Sequence, residues 1–192
     1  VYLSAEDDAL TIHRRVHHAL EQLPEDLREQ AAANFYGIPV HGGVNLCRAV
    51  GGVVEATANY EDLRDILDTI RPRLLVLDTL ARFSGVDEND NPAMTAFCGL
   101  LEGLIDAYGC NIILLHHSNK TSGDLIEDPK ELAKALTQTA MRGASALAGC
   151  IRWGMLVAPL GAALAQKRIG EPATGKYDGA FLAVRVGKKK SG

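Results

Sequence analysis

The sequence is short of several things, and each shortage removes a class of function. No apolar run approaches the roughly 20 residues that a membrane-spanning helix needs. The first residues do not show the basic, apolar and small-residue succession of a secretory leader. The four cysteines, Cys47, Cys98, Cys110 and Cys150, form no C-x-x-C pair. Each sits among apolar or small neighbours, which points to buried reduced thiols rather than a disulfide or zinc framework. A cytoplasmic protein is the simplest reading. Positive charge is not in excess either. A formal net charge of -4 argues against a generally basic nucleic-acid coat and leaves room only for a local patch. Internal repeats and low-complexity linkers are absent as well.

What is present is 192 residues, 47% of them hydrophobic, enough to bury one sizeable core. The pattern is clearest over residues 73–120, RLLVLDTLARFSGVDENDNPAMTAFCGLLEGLIDAYGCNIILLHHSNK. Two apolar runs, 74–77 and 112–115, end respectively in Asp78 and in the pair His116 and His117. Between them Met94, Phe97, Leu100, Leu101, Leu104 and Ile105 recur at helical steps. Strand, helix, strand is a parallel crossover unit, with both strands expected to be buried on both faces. Ligands in such sheets sit beyond the carboxyl ends of the strands, so Asp78 and the histidines share a rim.

The rest of the chain extends this α/β pattern. Val1, Tyr2 and Leu3 read as a strand, followed by the acidic residues 6–8. Ile12, Val16 and Leu20 mark a helix, and residues 24–34 a second, with Pro24 at its start. Residues 37–45 suit a short strand and turn, 53–59 are ambiguous, and 60–70 form a helix stopped by Pro72. Residues 121–136 read as a polar loop with at most a short helix, and 141–148 as helical. Strands are expected at 151–160 and 180–186, with a short helix or wide turn over 162–168.

Several residues carry chemistry, each beside a plainer role. Asp78 after LLVL has the pattern of a Walker B aspartate, which holds Mg²⁺ through water; its plainer role is a helix cap or turn. Glu6 in SAEDD can polarise an attacking water, or simply favour the start of the next helix. Adjacent strand residues point to opposite faces, so His116 and His117 do not readily converge on one metal. One of them as a polar sensor of phosphate is the better functional option. Arg142 and Arg152, in MRGASALAGCIRW, can reach a nucleotide or form surface ion pairs. Residues 170–176, GEPATGK, match a phosphate-loop pattern, but Tyr177 replaces the required Ser or Thr and a strand pattern follows. They suit a connecting turn. Lys188, Lys189 and Lys190 fit either phosphate contact or a solvated basic tail.

Taken in order, LSAED, LLVLDTLARF with DEND after it, IILLHHSNK and RGASALAGCIRW resemble the RepA-type hexameric replicative helicases, within the RecA/DnaB-like P-loop ATPases. The resemblance covers nearly the whole chain. It implies a RecA-like, mostly parallel sheet flanked by helices, with a C-terminal antiparallel strand pair, and ATP and Mg²⁺ as cofactors. It assigns Glu6 to the activation of water, Asp78 to magnesium and His117 to sensing the γ-phosphate. Arg152 becomes the arginine finger of a homo-oligomeric ring, a hexamer acting on single-stranded DNA, and His116 and Arg142 fall among the nucleotide-contacting residues. The family's phosphate loop and first strand precede LSAED, so residues 1–192 are expected to be one ATPase core lacking that upstream part, and inactive alone. Two rivals predict otherwise: a non-hydrolysing RecA-like assembly module, for which Glu6 and Arg152 are dispensable, and a His-dependent metal hydrolase, in which both histidines converge on an ion.

Overall fold

A computed structural model describes residues 1–42, 44–117, 126, 128–135, 145–161, 164, 167 and 181–186. The chain divides into two compact units, Val1–His116 and His117–Gly192. In the first, four parallel strands form a sheet of order β2-β1-β5-β6: β1 (Tyr2–Ser4), β2 (Gly37–Pro39), β5 (Leu74–Asp78) and β6 (Asn111–Leu115). A separate antiparallel hairpin joins β3 (Cys47–Val50) to β4 (Val53–Ala56). Five helices accompany them: α1 (Ala9–Glu21), α2 (Glu25–Ala33), α3 (Ala58–Ile70), α4 (Leu80–Phe83) and α5 (Asn91–Tyr108).

Local chemistry explains these boundaries. The Asp8 side chain accepts from the Thr11 N–H and starts α1, and Asp90 accepts from the Ala93 N–H and starts α5. Gly109, at φ 63, ends α5 by returning its N–H to Ile105. α3 ends at Ile70, as expected, with Arg71 taking the left-handed conformation at φ 49 as its cap and Pro72 following it. The α5 stripe Met94, Phe97, Leu101 and Leu104 is buried together with Ala93 and Cys98. Leu100 is half-buried, and Ile105 lies on the exposed side at 38%.

Burial in the two central strands departs from the expectation. β5 alternates: Leu75 and Leu77 are fully buried, whereas Val76 and Asp78 on its other face are partly open. β6 is half-buried at its centre and exposed at both ends, because within the four-stranded sheet it pairs only with β5. Cys47, Cys98 and Cys110 are buried and Cys150 partly so, all as free thiols.

The second unit holds α6 (Pro129–Ala135), α7 (Ser145–Cys150) and an antiparallel pair, β7 (Met155–Leu160) with β8 (Phe181–Val186). β7 begins later than the expected 151, leaving Arg152 in a bend before it. Residues 170–176 and 188–190 lie outside the described residues, as do 121–125, 127, 136 and most of 162–168. The parallel sheet flanked by helices and the C-terminal antiparallel pair make this an α/β chain of the RecA-like kind. Among the described residues no helix is long and apolar enough to cross a membrane.

Candidate nucleotide-hydrolysis site

Parallel strands deliver their carboxyl ends to one rim, and here β1 delivers Ala5 and Glu6, β5 delivers Asp78 and β6 delivers His116. Between β1 and β5 the topology reverses: the chain leaves β1 for β2 on one side and leaves β5 for β6 on the other. The loops after β1 and β5 therefore diverge and open a crevice, the place where ligands bind in such sheets.

Three consecutive carboxylates follow β1, and each has its own task. Asp8 caps α1, where the hydrogen bonds from Thr11 hold its carboxyl below the usual range. Asp7 pairs with Arg15. Glu6 does neither. It lies exposed at the rim and its Oε1 accepts from the Thr79 hydroxyl at 3.3 Å. The chain is bent there by Ser4, fully buried, whose Oγ accepts the N–H of Asp7 at 3.1 Å and of Glu6 at 3.4 Å. Favouring the helix start is thus the work of Asp8, and Glu6 is turned toward the β5 strand end.

Thr79 is buried and begins α4, yet its side chain makes no capping bond to that helix. Its hydroxyl is committed to Glu6 instead. Asp78, in register with Ser4, is joined to the neighbouring strand twice. Its carbonyl accepts the Ala5 N–H at 2.7 Å, and its Oδ2 accepts the Tyr2 phenol at 2.5 Å. Burial, and then the bond to Asp78, raise the Tyr2 phenol above its ordinary value. Asp78 Oδ1 makes no hydrogen bond among the described residues.

This donor set fits a magnesium ion held through water. Mg²⁺ keeps several waters and takes one or two carboxylates plus substrate phosphate oxygens, and Asp78 offers one half-exposed carboxylate with an oxygen open. Among the described residues no three His, Cys, Asp or Glu side chains could hold an ion directly, so the His-dependent hydrolase finds no geometry there.

Thr79 turns Glu6 toward the β5 strand end and Tyr2 holds Asp78 there, and sequence reasoning singled out neither Thr79 nor Tyr2. His116 closes the first unit one residue past Leu115, which is in register with Asp78. His117 opens the second unit and is exposed. Arg152 is exposed in the second unit and makes no ion pair or hydrogen bond among the described residues. Arg142 lies outside the described residues. An open cavity of about 390 Å³, lined by Ile12, His13, Val16, His17, Leu20 and Phe35 among others, includes none of Glu6, Asp78 or His116. We take the strand-end crevice as the site, because it gathers the acidic groups and the cavity does not.

A parallel α/β sheet with an exposed glutamate and a half-exposed aspartate at its topological switch has acidic groups where such sheets bind their ligands. Residues 1–123 match a family model described as an AAA domain, and the chain belongs to that family. Membership makes it an ATPase-type module related to the P-loop NTPases.

Proposed function

We propose that this chain belongs to the ATP-hydrolysing motor core of a RepA-type replicative helicase, a plasmid- or phage-type hexameric ring enzyme that moves on single-stranded DNA. The observation that carries the proposal is the pairing of Glu6 and Asp78 across adjacent parallel strand ends, tied by the Thr79 hydroxyl.

Glu6 orients a water for in-line attack on the γ-phosphorus and takes up its proton as the bond to the leaving diphosphate oxygen breaks. Thr79 restricts the Glu6 carboxylate to the β5 side of the crevice. Asp78 would hold Mg²⁺ through water, and the ion would supply charge neutralisation at the phosphates. The resemblance gives His117 the sensing of the γ-phosphate, adds His116 and Arg142 as nucleotide contacts, and gives Arg152 the finger role in a neighbouring subunit's site. Support for an intersubunit surface comes from Trp153, just before β7, and from Met155 and Val157, which alternate along that strand; they are exposed at 53%, 54% and 43%. A large apolar stripe beside an exposed arginine is a surface that a second copy would cover.

The test is ATP-dependent unwinding of a forked DNA by the full-length protein, with its mass in solution measured alongside. A ring-sized assembly whose unwinding is abolished by Arg152→Ala supports the reading. A monomer, or a nucleotide-hydrolysing protein indifferent to DNA, removes the helicase assignment.

A further inference from the structure

We infer that Tyr2 is a positioning residue for the magnesium-binding carboxylate: its phenol fixes one oxygen of Asp78 and so presents the other to the crevice. The inference rests on the ATPase reading above and adds to it a residue that acts through Asp78.

The strand register places the two residues within reach of each other. Tyr2 pairs with Val76 and Ser4 with Asp78, so Tyr2 and Asp78 are diagonal neighbours two residues apart on the same face. Diagonal neighbours lie roughly 7–8 Å apart at Cα, within the reach of an aromatic side chain and beyond that of a short one. The phenol donates to Asp78 Oδ2 at 2.5 Å, within hydrogen-bond reach. The Tyr2 ring is itself held against Phe35, with centroids 6.3 Å apart. That contact supports the ring from which the hydroxyl reaches the carboxylate. Asp78 then has Oδ2 occupied, and its Oδ1 makes no hydrogen bond among the described residues. Removing the donor leaves the ring packed and lets the carboxylate rotate. Hydrogen-bonding partners of metal-binding carboxylates typically contribute on the order of 10- to 100-fold to metal affinity.

The experiment compares wild type, Tyr2→Phe, Asp78→Asn and the double variant of the full-length protein. Mn²⁺ binding in the presence of a non-hydrolysed ATP analogue is followed by electron paramagnetic resonance, and ATP turnover is measured against Mg²⁺ concentration. Tyr2→Phe should weaken Mn²⁺ binding by about 10-fold or more, and its loss of turnover should recover as Mg²⁺ is raised. In the Asp78→Asn background, Tyr2→Phe should change neither quantity further. Unaltered Mn²⁺ affinity in Tyr2→Phe, with wild type active and dependent on Asp78, overturns the inference and leaves the ATPase reading standing. A wild type that neither binds the Mn²⁺–nucleotide complex nor turns over ATP overturns both. A melting temperature of Tyr2→Phe lowered without any change in metal dependence marks the bond as structural only, and also overturns it.

Discussion

Replacing Gly85 by Ala should be among the most damaging small substitutions in the first unit. Gly85 has φ +68, and a Cβ built there would lie 2.0 Å from the Cys47 carbonyl oxygen and 2.7 Å from Asn45 Cβ. The first neighbour is backbone and cannot swing aside. The left-handed conformation alone costs an L-residue roughly 1–2 kcal/mol. Relief of the clash must also part the two segments that Leu46 N–H to Phe83 O (2.8 Å) and Cys47 Sγ to Ser84 O (2.7 Å) hold together. At about 1 kcal/mol net for each hydrogen bond, the whole cost is on the order of 3–4 kcal/mol. For a chain of this size that lowers the melting temperature by roughly 6–16 °C. Gly51→Ala is the control. Its φ is +58 but nothing lies within 4 Å of the added Cβ, so only the conformational cost of about 1–2 kcal/mol applies. Gly99→Ala, inside α5 with open space around it, should gain about 0.5–1 kcal/mol. Urea melts followed by circular dichroism read all three. If Gly85→Ala costs no more than Gly51→Ala, the close approach of the two segments is wrong.

Phe97, fully buried on the inner face of α5, should cost about 3–5 kcal/mol when cut to Ala, measured by the same melts. Cys47 gives a pH dependence of definite sign. Burial pushes its thiol up to about 11 from an ordinary 9.0, so the unfolded chain ionises first and stability falls as pH rises through that window. The loss reaches on the order of 2–3 kcal/mol, and Cys47→Ala should remove that component when melts at about pH 8 and about pH 10.5 are compared. Equal pH slopes in the two proteins would refute it.

The crossover unit around Asp78 was legible because each of its parts has an unmistakable period, and the helix over 94–105 buries nearly the stripe that its spacing marks. The β3–β4 hairpin was not read. Its signal, Gly51-Gly52 between valines, is a recognised tight-turn pair, and both glycines have positive φ. Val50 and Val53 beside the turn are 47% and 61% exposed, so their hydrophobicity marks no core and gave no guide to register. Burial of β6 was overestimated for a related reason. An apolar run states that a strand suits an interior, while its neighbours in the sheet decide how much is covered. The division of labour among Glu6, Asp7 and Asp8 could not be read from SAEDD, since it depends on Thr79, Arg15 and Thr11. Tyr2 carried no motif. Only the register with β5, set by contacts more than seventy residues away in sequence, turns a strand tyrosine into a partner of Asp78.

The most direct test of the central claim is Mg²⁺-dependent ATP turnover by the full-length protein with and without Glu6→Gln, with nucleotide binding measured on the same samples. Glu6 as the residue that activates water predicts a fall in kcat of about 100-fold or more, within the usual range for a lost general base, with binding kept within a few-fold. Turnover by Glu6→Gln close to that of wild type would contradict it, and would leave the crevice between β1 and β5 without its proposed chemistry.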